Sequence, residues 1–311
     1  MSTDLEHDTT VTTDLSRTIA TLVHKRNPSE VLPTRWHEGA PGTHHVTAVL
    51  PDDHCIYRAP HAGLDPVLVV EAFRQAVLLL GHAELGAPAA DRQTWMDFEA
   101  AFDPEGLAIG PGPTEIDLRM TASDTVRRAG RLASARVQAD ITADGRPLAT
   151  AATSFTSQSP AVYARLRGEY ADLERSVARA VPLAPPLSAS GAGRQDFRDV
   201  VLSATNSPTC HQLRVDVTHP GLFDHPVDHV PGMLLLEAVR QAAYTGLGTP
   251  AADLVALRCS FKRYTELDSP CWLHSTRLSD SESGDARFSV TAVQNGRPVL
   301  AATAALRPHR A

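Results

Sequence analysis

An apolar helix with one polar stripe is written into this chain twice, and burying it twice constrains every other segment. Pro66 to Val77 reads PVLVVEAFRQAV and Gly232 to Ala243 reads GMLLLEAVRQAA, so Glu71, Arg74 and Gln75 recur 166 positions later as Glu237, Arg240 and Gln241. A second echo sets Gly145-Arg146-Pro147 against Gly296-Arg297-Pro298. A third, weaker one sets Glu30-Val31 against Asp199-Val200 and Pro51 against Pro220, both 169 positions apart. Three echoes in one order mean an internal duplication. With only two copies of over a hundred residues each, the chain is a tandem domain.

The second copy is the better marked. FDHPVDHVPGMLLLEAVRQAAY begins as a loop with Pro226 and Pro231, turns at Gly232 and runs into the apolar stretch. That order is a helix-start signature. Met233 to Leu236, Ala238, Val239, Ala242 and Ala243 leave almost no solvent face, so the helix is expected to be buried. Glu237, Arg240, Gln241 and Tyr244, spaced i, i+3, i+4, i+7, share one side of it. A buried carboxylate is costly unless paired or used. Two readings follow: a Glu–Arg pair that fixes helix packing, and an acid/base carboxylate with a cationic partner in a dry pocket.

With 311 residues there is room for two ordinary domains. A hydrophobic content of 42% with 21% charged residues fits a soluble globular chain. A net charge of −7 argues against a nucleic-acid surface. Cys55, Cys210, Cys259 and Cys271 show no CxxC spacing and read as reduced thiols. The acidic start MSTDLEHDTT lacks a secretory apolar region. No apolar run reaches the length of roughly 18 residues that a membrane span needs. The expectation is a cytoplasmic protein with no membrane or nucleic-acid partner.

In order, the chain reads as a polar leader over 1–21, a first unit over 22–157, a helix and Pro/Ser/Gly linker over 158–195, and a second unit over 196–311. The composition of the linker is what marks the boundary. His44 to Leu50, Cys55 to Tyr57, Thr94 to Phe102, Glu115 to Thr121 and Leu213 to Val217 read as strands. So do Val255 to Tyr264 and Cys271 to Leu278. Asp144-Gly145 and Asn295-Gly296 mark tight hairpins. Ala161 to Arg179 is helical in character. One buried helix wrapped by a mostly antiparallel sheet, made twice, is an α+β architecture.

These residues carry a family resemblance. FDHPVDHVPGMLLLEAVRQ resembles the signature of hot-dog hydroxyacyl-carrier-protein dehydratases, where a His-Phe-Pro loop precedes Pro-Gly and a helix bearing Glu-Ala. The tandem EAxRQA helices, the opening VHKRNPSEVLPTRW and the core DHVPGMLLLEA are more similar to the A-factor biosynthesis (AfsA-type) proteins of γ-butyrolactone signal synthesis. The resemblance spans about residues 22–306 and implies a double hot-dog fold. It also implies transfer of a β-ketoacyl group from acyl carrier protein to the hydroxyl of dihydroxyacetone phosphate, without a cofactor or metal, and leaves a homodimer open. Two departures stand out. His225 sits two positions closer to its Pro-Gly than the dehydratase His, and Asp65-Pro66 replaces Pro231-Gly232 in the first copy, which would make one site degenerate.

Acyl transfer to an alcohol needs a base, donors for the oxyanion and a seat for the phosphate. On the resemblance, Glu237 is the base, its pKa raised by burial, Arg240 orients it or meets phosphate, Gln241 hydrogen-bonds the substrate, and Glu71 is its counterpart. Arg74, Gln75, His225, Lys25 and Arg26 are substrate-binding candidates, with backbone N–H groups at Gly232 for the oxyanion. Because hot-dog sites form between paired units, His225 is expected near Glu71 and the His61 loop near Glu237, with the acyl chain between the helices. His225 and His229 have i, i+4 spacing, but Pro226 and Pro231 keep them out of a helix and argue against zinc. The rivals are a thioesterase or dehydratase on the same fold, and a non-catalytic acyl-binding protein.

Overall fold

The computed structural model describes residues 17–58, 63–249 and 251–309. The first unit supplies β1 (Pro33–Glu38), β2 (Thr43–Leu50), β3 (Arg92–Phe102), β4 (Thr114–Arg128), β5 (Arg131–Ala143) and β6 (Arg146–Gln158). The second supplies β7 (Leu202–Ser203), β8 (Cys210–Leu213), β9 (Ala252–Phe261), β10 (Cys271–Arg277), β11 (Ala286–Gln294) and β12 (Arg297–Pro308). All twelve join one antiparallel sheet in the order β1-β2-β4-β5-β6-β3-β9-β12-β11-β10-β8-β7. That order is symmetric about its middle. β3 pairs with β9 (Phe98 opposite Cys259, Ala100 opposite Leu257), so a pseudo-twofold axis passes between the two units.

The helices α1 (Pro66–Ala83) and α2 (Gly232–Leu247) are each packed against the sheet of their own unit, and they touch one another. Pro66 starts α1 with its φ already helical, and the Asp65 side chain caps the Val67 N–H; both are favoured devices at a helix start. At 18 residues α1 is long and apolar enough to cross a membrane, a length the sequence reading did not find. It is instead a core helix, with 83% of that stretch buried. The hairpins close as expected: Asp144-Gly145 and Asn295-Gly296 all have positive φ, the geometry of a primed turn matched to strand twist. The β4–β5 hairpin closes through Ala129-Gly130, also at positive φ, where alanine sends no such signal.

Several expectations are corrected. Cys55 to Tyr57 is a turn built on His54, not a strand. β8 stops at Leu213, short of Val215 and Val217. The helical stretch after β6 breaks at Gly168, whose φ is 58°. Residues 17–22 are helical with Ile19 buried, so order begins inside the stretch read as a leader. Residues 1–16 of that leader lie outside the described residues. All four cysteines are free thiols.

Candidate active site

The polar stripes of α1 and α2 build two related ion clusters. The Glu71 carboxylate accepts from Arg74 Nε (2.8 Å) and Nη2 (2.7 Å) and from Gln75 Nε2 (2.8 Å), and Lys25 Nζ lies 3.1 Å away. The Glu237 carboxylate accepts from Arg240 Nη2 (2.6 Å), Gln241 Nε2 (2.6 Å) and Arg194 Nε (2.8 Å). Each glutamine then latches its helix to the segment before the first strand of its unit. Gln75 donates to the Glu30 carbonyl and accepts the Leu32 N–H; Gln241 does the same with Asp199 and Val201. Their amides are spent on the fold, so neither faces a substrate as expected.

The duplication continues beneath the helices. His54 and His219 each accept two backbone N–H bonds at Nδ1, from Ile56 and Tyr57 and from Gly221 and Leu222. Their Nε2 atoms face Glu30 (3.3 Å) and Asp199 (3.4 Å). This equivalence matches His54 to His219 and Tyr57 to Leu222, so the echo of Pro51 in Pro220 is not a structural one. Glu30, His54 and Cys55 come close enough to hold a metal ion. However, Nδ1 acting as acceptor leaves the proton on Nε2. Lys25 Nζ also stands 3.6 Å from Glu30, so these residues do not suit a cation.

Asp65 breaks the symmetry. It occupies the place that Pro231 holds in the second copy, and it reaches across the pseudo-twofold axis. Oδ1 accepts from Val67 N–H (2.8 Å) and Arg240 Nη1 (2.7 Å), and Oδ2 lies 3.4 Å from Arg194 Nη1. Two carboxylates and two arginines, all buried, thus seal the Glu237 cluster. Around Glu71 nothing among the described residues plays that part. The Arg74 side chain stays 25% exposed. α2 begins without a side-chain cap, at the exposed Gly232. The altered entry at Asp65-Pro66 therefore closes the neighbouring copy, not its own. Burial lifts Glu237 to about 7 against the pull of Arg194, with Asp65 adding to the lift; desolvation disfavours the charged form. Burial also pushes Glu71 up, but Arg74 and Lys25 outweigh it and hold that carboxyl well below the usual range.

The loop before α2 crosses onto the first unit. The Asp224 carboxylate accepts the N–H groups of Arg26 and Asn27 (both 2.7 Å), and His225 Nδ1 donates to it at 3.1 Å. The His225 side chain is 25% exposed. Its bond to Asp224 leaves Nε2 with a free lone pair. Asp224 also acts electrostatically on Arg74, which ties this pair to the open cluster. His225 makes no direct bond to Glu71 among the described residues, and the His61 loop lies outside them. Lys25 points inward at Glu71 and Glu30, whereas Arg26 is exposed.

Four features of this region escaped the sequence reading. Arg194 lay in the assumed linker, though Lys25 stands 169 positions before it, the spacing already seen for Glu30 and Asp199. Asp65 was noticed only as an altered helix entry, and Tyr57 as part of a strand. Asp228 and His229 form a second pair (2.7 Å), with Asp228 also accepting from the Tyr163 hydroxyl and ion-paired to Arg167. Arg92 lies over the Tyr163 ring, 5.9 Å from its centroid.

Comparison with known proteins agrees with this architecture. The family model described as "A-factor biosynthesis hotdog domain" matches residues 5–159 and 182–309. A 2-oxo-3-(phosphooxy)propyl 3-oxoalkanoate synthase of Streptomyces virginiae is 40% identical over 280 residues, covering 90% of this chain and 94% of its own. Synthases of the same name from Streptomyces griseus and Streptomyces coelicolor are 38% and 36% identical, covering 90% and 91% of this chain and 92% and 89% of theirs. Among solved structures, an acyl-ACP thioesterase from Bacteroides thetaiotaomicron superposes with a TM-score of 0.54 at 9% identity, covering 85% of this chain and 98% of its own. The 12:0-ACP thioesterase from Umbellularia californica gives 0.51 at 12%, with the same two coverages. The double hot-dog fold is shared with the thioesterases, and the chain belongs to the A-factor biosynthesis hot-dog family.

Proposed function

We propose that this chain transfers a 3-oxoacyl group from a carrier-protein thioester to the hydroxyl of dihydroxyacetone phosphate, in the cytoplasm, and that the open cluster at Glu71 is its active site. The observation that carries the choice of site is Asp65. In the closed copy a carboxylate sits between the two cations, at the start of α1. The open copy has the matching cations, Arg74 and Lys25, and Pro231 in place of that carboxylate. An anion of the substrate fits there, bound by Arg74, Lys25 and the uncapped N–H groups at Gly232. Arg26 extends the positive charge outward. The names of the relatives, which describe an ester of a phosphorylated three-carbon ketone with a 3-oxo acid, support the substrates. The chain carries both units that pair around the site, so a homodimer is not required.

A base needs a vacant lone pair. Glu237 has Arg194, Arg240 and Gln241 on its two oxygens and no exposure, so the sealed copy serves as a scaffold in this scheme. His225, oriented by Asp224, takes the hydroxyl proton through Nε2. The alkoxide oxygen attacks the thioester carbon, the C–S bond breaks, and the same proton passes to the departing thiolate. Glu71 holds Arg74 and Lys25 in place, and the acyl chain lies along the apolar sides of the helices.

The test is mass spectrometry of products from a 3-oxoacyl carrier protein, dihydroxyacetone phosphate and the purified chain. A phosphorylated ester is expected from wild type and from Glu237→Gln, and little from His225→Ala. Arg74→Ala should raise KM for dihydroxyacetone phosphate by roughly 10- to 100-fold, the loss of one charge-assisted contact. Free 3-oxo acid as the sole product would instead mark a thioesterase. Loss of transfer in Glu237→Gln with activity kept in His225→Ala would move the chemistry to the closed copy.

A further inference from the structure

Tyr57 carries a buried phenol that the scheme above leaves idle. The residue is 2% exposed, and its hydroxyl has no hydrogen-bond partner among the described residues. Folded proteins nearly always pair such groups, so an orphan of this kind suggests a partner supplied from outside. The fold nonetheless holds the ring firmly. Its backbone N–H bonds His54 Nδ1 at 3.1 Å, and the ring stacks on the His54 imidazole with centroids 5.1 Å apart.

The position lies where the two clusters meet. His54 belongs to the Glu71 side through Glu30, whereas the residue before Tyr57, Ile56, gives its carbonyl to Arg194 on the Glu237 side at 2.9 Å. Glu71 and Glu237 both act on the phenol, and the phenol acts on Arg74, the partly exposed arginine of the open site. The nearby carboxylates already have their donors, and burial, with Glu71, Glu237 and Asp65 adding to it against Arg194, keeps the phenol protonated, so it can only donate usefully to a newcomer. A neutral donor beside the cations suits a carbonyl oxygen that gains negative charge during reaction. In the second unit the matching residue is Leu222, which has no side-chain donor.

We propose that the Tyr57 hydroxyl donates a hydrogen bond to the thioester carbonyl of the acyl group and to the oxyanion that forms on that oxygen during transfer. This rests on the acyl-transfer reading given above. The phenolic proton stays on its oxygen throughout; the proton that moves is that of the acceptor hydroxyl.

The experiment compares wild type with Tyr57→Phe, which removes one oxygen and keeps the ring. Thermal unfolding should show Tm unchanged or raised, because an unpaired buried hydroxyl is replaced by C–H. The kcat should fall by about 10²- to 10³-fold, the usual effect of losing one oxyanion donor, with KM for dihydroxyacetone phosphate unchanged. Affinity for a non-transferable 3-oxoacyl-pantetheine amide, measured by calorimetry, should fall about tenfold, the order expected for one lost hydrogen bond. Tyr57→Leu, copying the second unit, should show the same activity loss. A stable Tyr57→Phe with full kcat and wild-type affinity for the amide overturns the assignment and leaves a packing residue. If wild type makes no ester, the transfer reading fails by itself, and amide binding still decides Tyr57: weaker in the variant upholds it, equal affinity or no binding to either protein overturns it.

Discussion

Glu71 and Glu237 have the same neighbours along their helices and opposite electrostatics: burial outweighs the cations at Glu237, where Asp65 adds to the lift, whereas Arg74 and Lys25 outweigh burial at Glu71. The consequence is measurable as pH-dependent stability. Glu237, lifted by burial to about 7, keeps its proton in the folded protein at pH values where an ordinary carboxyl, near 4.5, has lost it in the unfolded chain. Between those values the folded state binds more protons, so this group makes stability fall as pH rises, with no further effect above about 7 or below about 4.5. Glutamine cannot ionise. Glu237→Gln should therefore gain on wild type by up to roughly 1.4 kcal/mol per pH unit across that window. Urea unfolding at pH 4.5, 6 and 8 gives the comparison, and a constant difference would mean that Glu237 is ionised throughout. The stripe Glu-Arg-Gln was legible in the sequence because helical spacing alone puts it on one side. The rise at Glu237 was legible as well, because it follows first from burying a carboxylate; the fall at Glu71 was not, since it depends in part on Lys25, which reaches the stripe from another segment.

At the scale of elements, the N-termini of α1 and α2 differ more than their interiors. Asp65 caps α1 and closes the ion cluster of α2, so two effects of one side chain can be separated by substitution. Asp65→Asn keeps a capping oxygen and loses the charge, whereas Asp65→Ala loses both. Leaving Arg194 and Arg240 one carboxylate short should destabilise either variant by about 3–5 kcal/mol. Loss of the cap should make alanine worse than asparagine by about 1 kcal/mol. Guanidinium unfolding of the two variants measures both, and identical curves would dismiss the cap. The hairpins at Asp144-Gly145 and Asn295-Gly296 were legible because those residue pairs tolerate positive φ. The turn at Ala129-Gly130 and the turn at His54 were not, since their conformations are imposed by the strands and histidine beside them.

At the scale of the molecule, the units are bound by more than a linker. The strands β3 and β9 make the sheet continuous, Asp65 meets Arg194 and Arg240 across the boundary, and Asp224 meets Arg26 and Asn27. Either unit alone would expose a strand edge and leave buried charges unpaired. Residues 1–181 and 182–311 expressed separately should therefore be insoluble or lack cooperative unfolding by circular dichroism, and co-expression should restore a folded complex. A half that folds alone with a sharp transition would show that the inter-unit contacts are dispensable.

The sequence by itself determined that there are two units, that each is built on one buried helix, and that a carboxylate, an arginine and a glutamine share a face of that helix. Those features depend on residues a few positions apart, so periodicity and repetition reveal them. Only the tertiary structure decided which copy is sealed, the second by Asp65, and which is open, the first at Arg74, with Tyr57 at their meeting point. The bond from Arg240 to Asp65 joins residues 175 apart in the chain. Contacts of that range arise from how the sheet brings two helix ends together, and no local pattern encodes them.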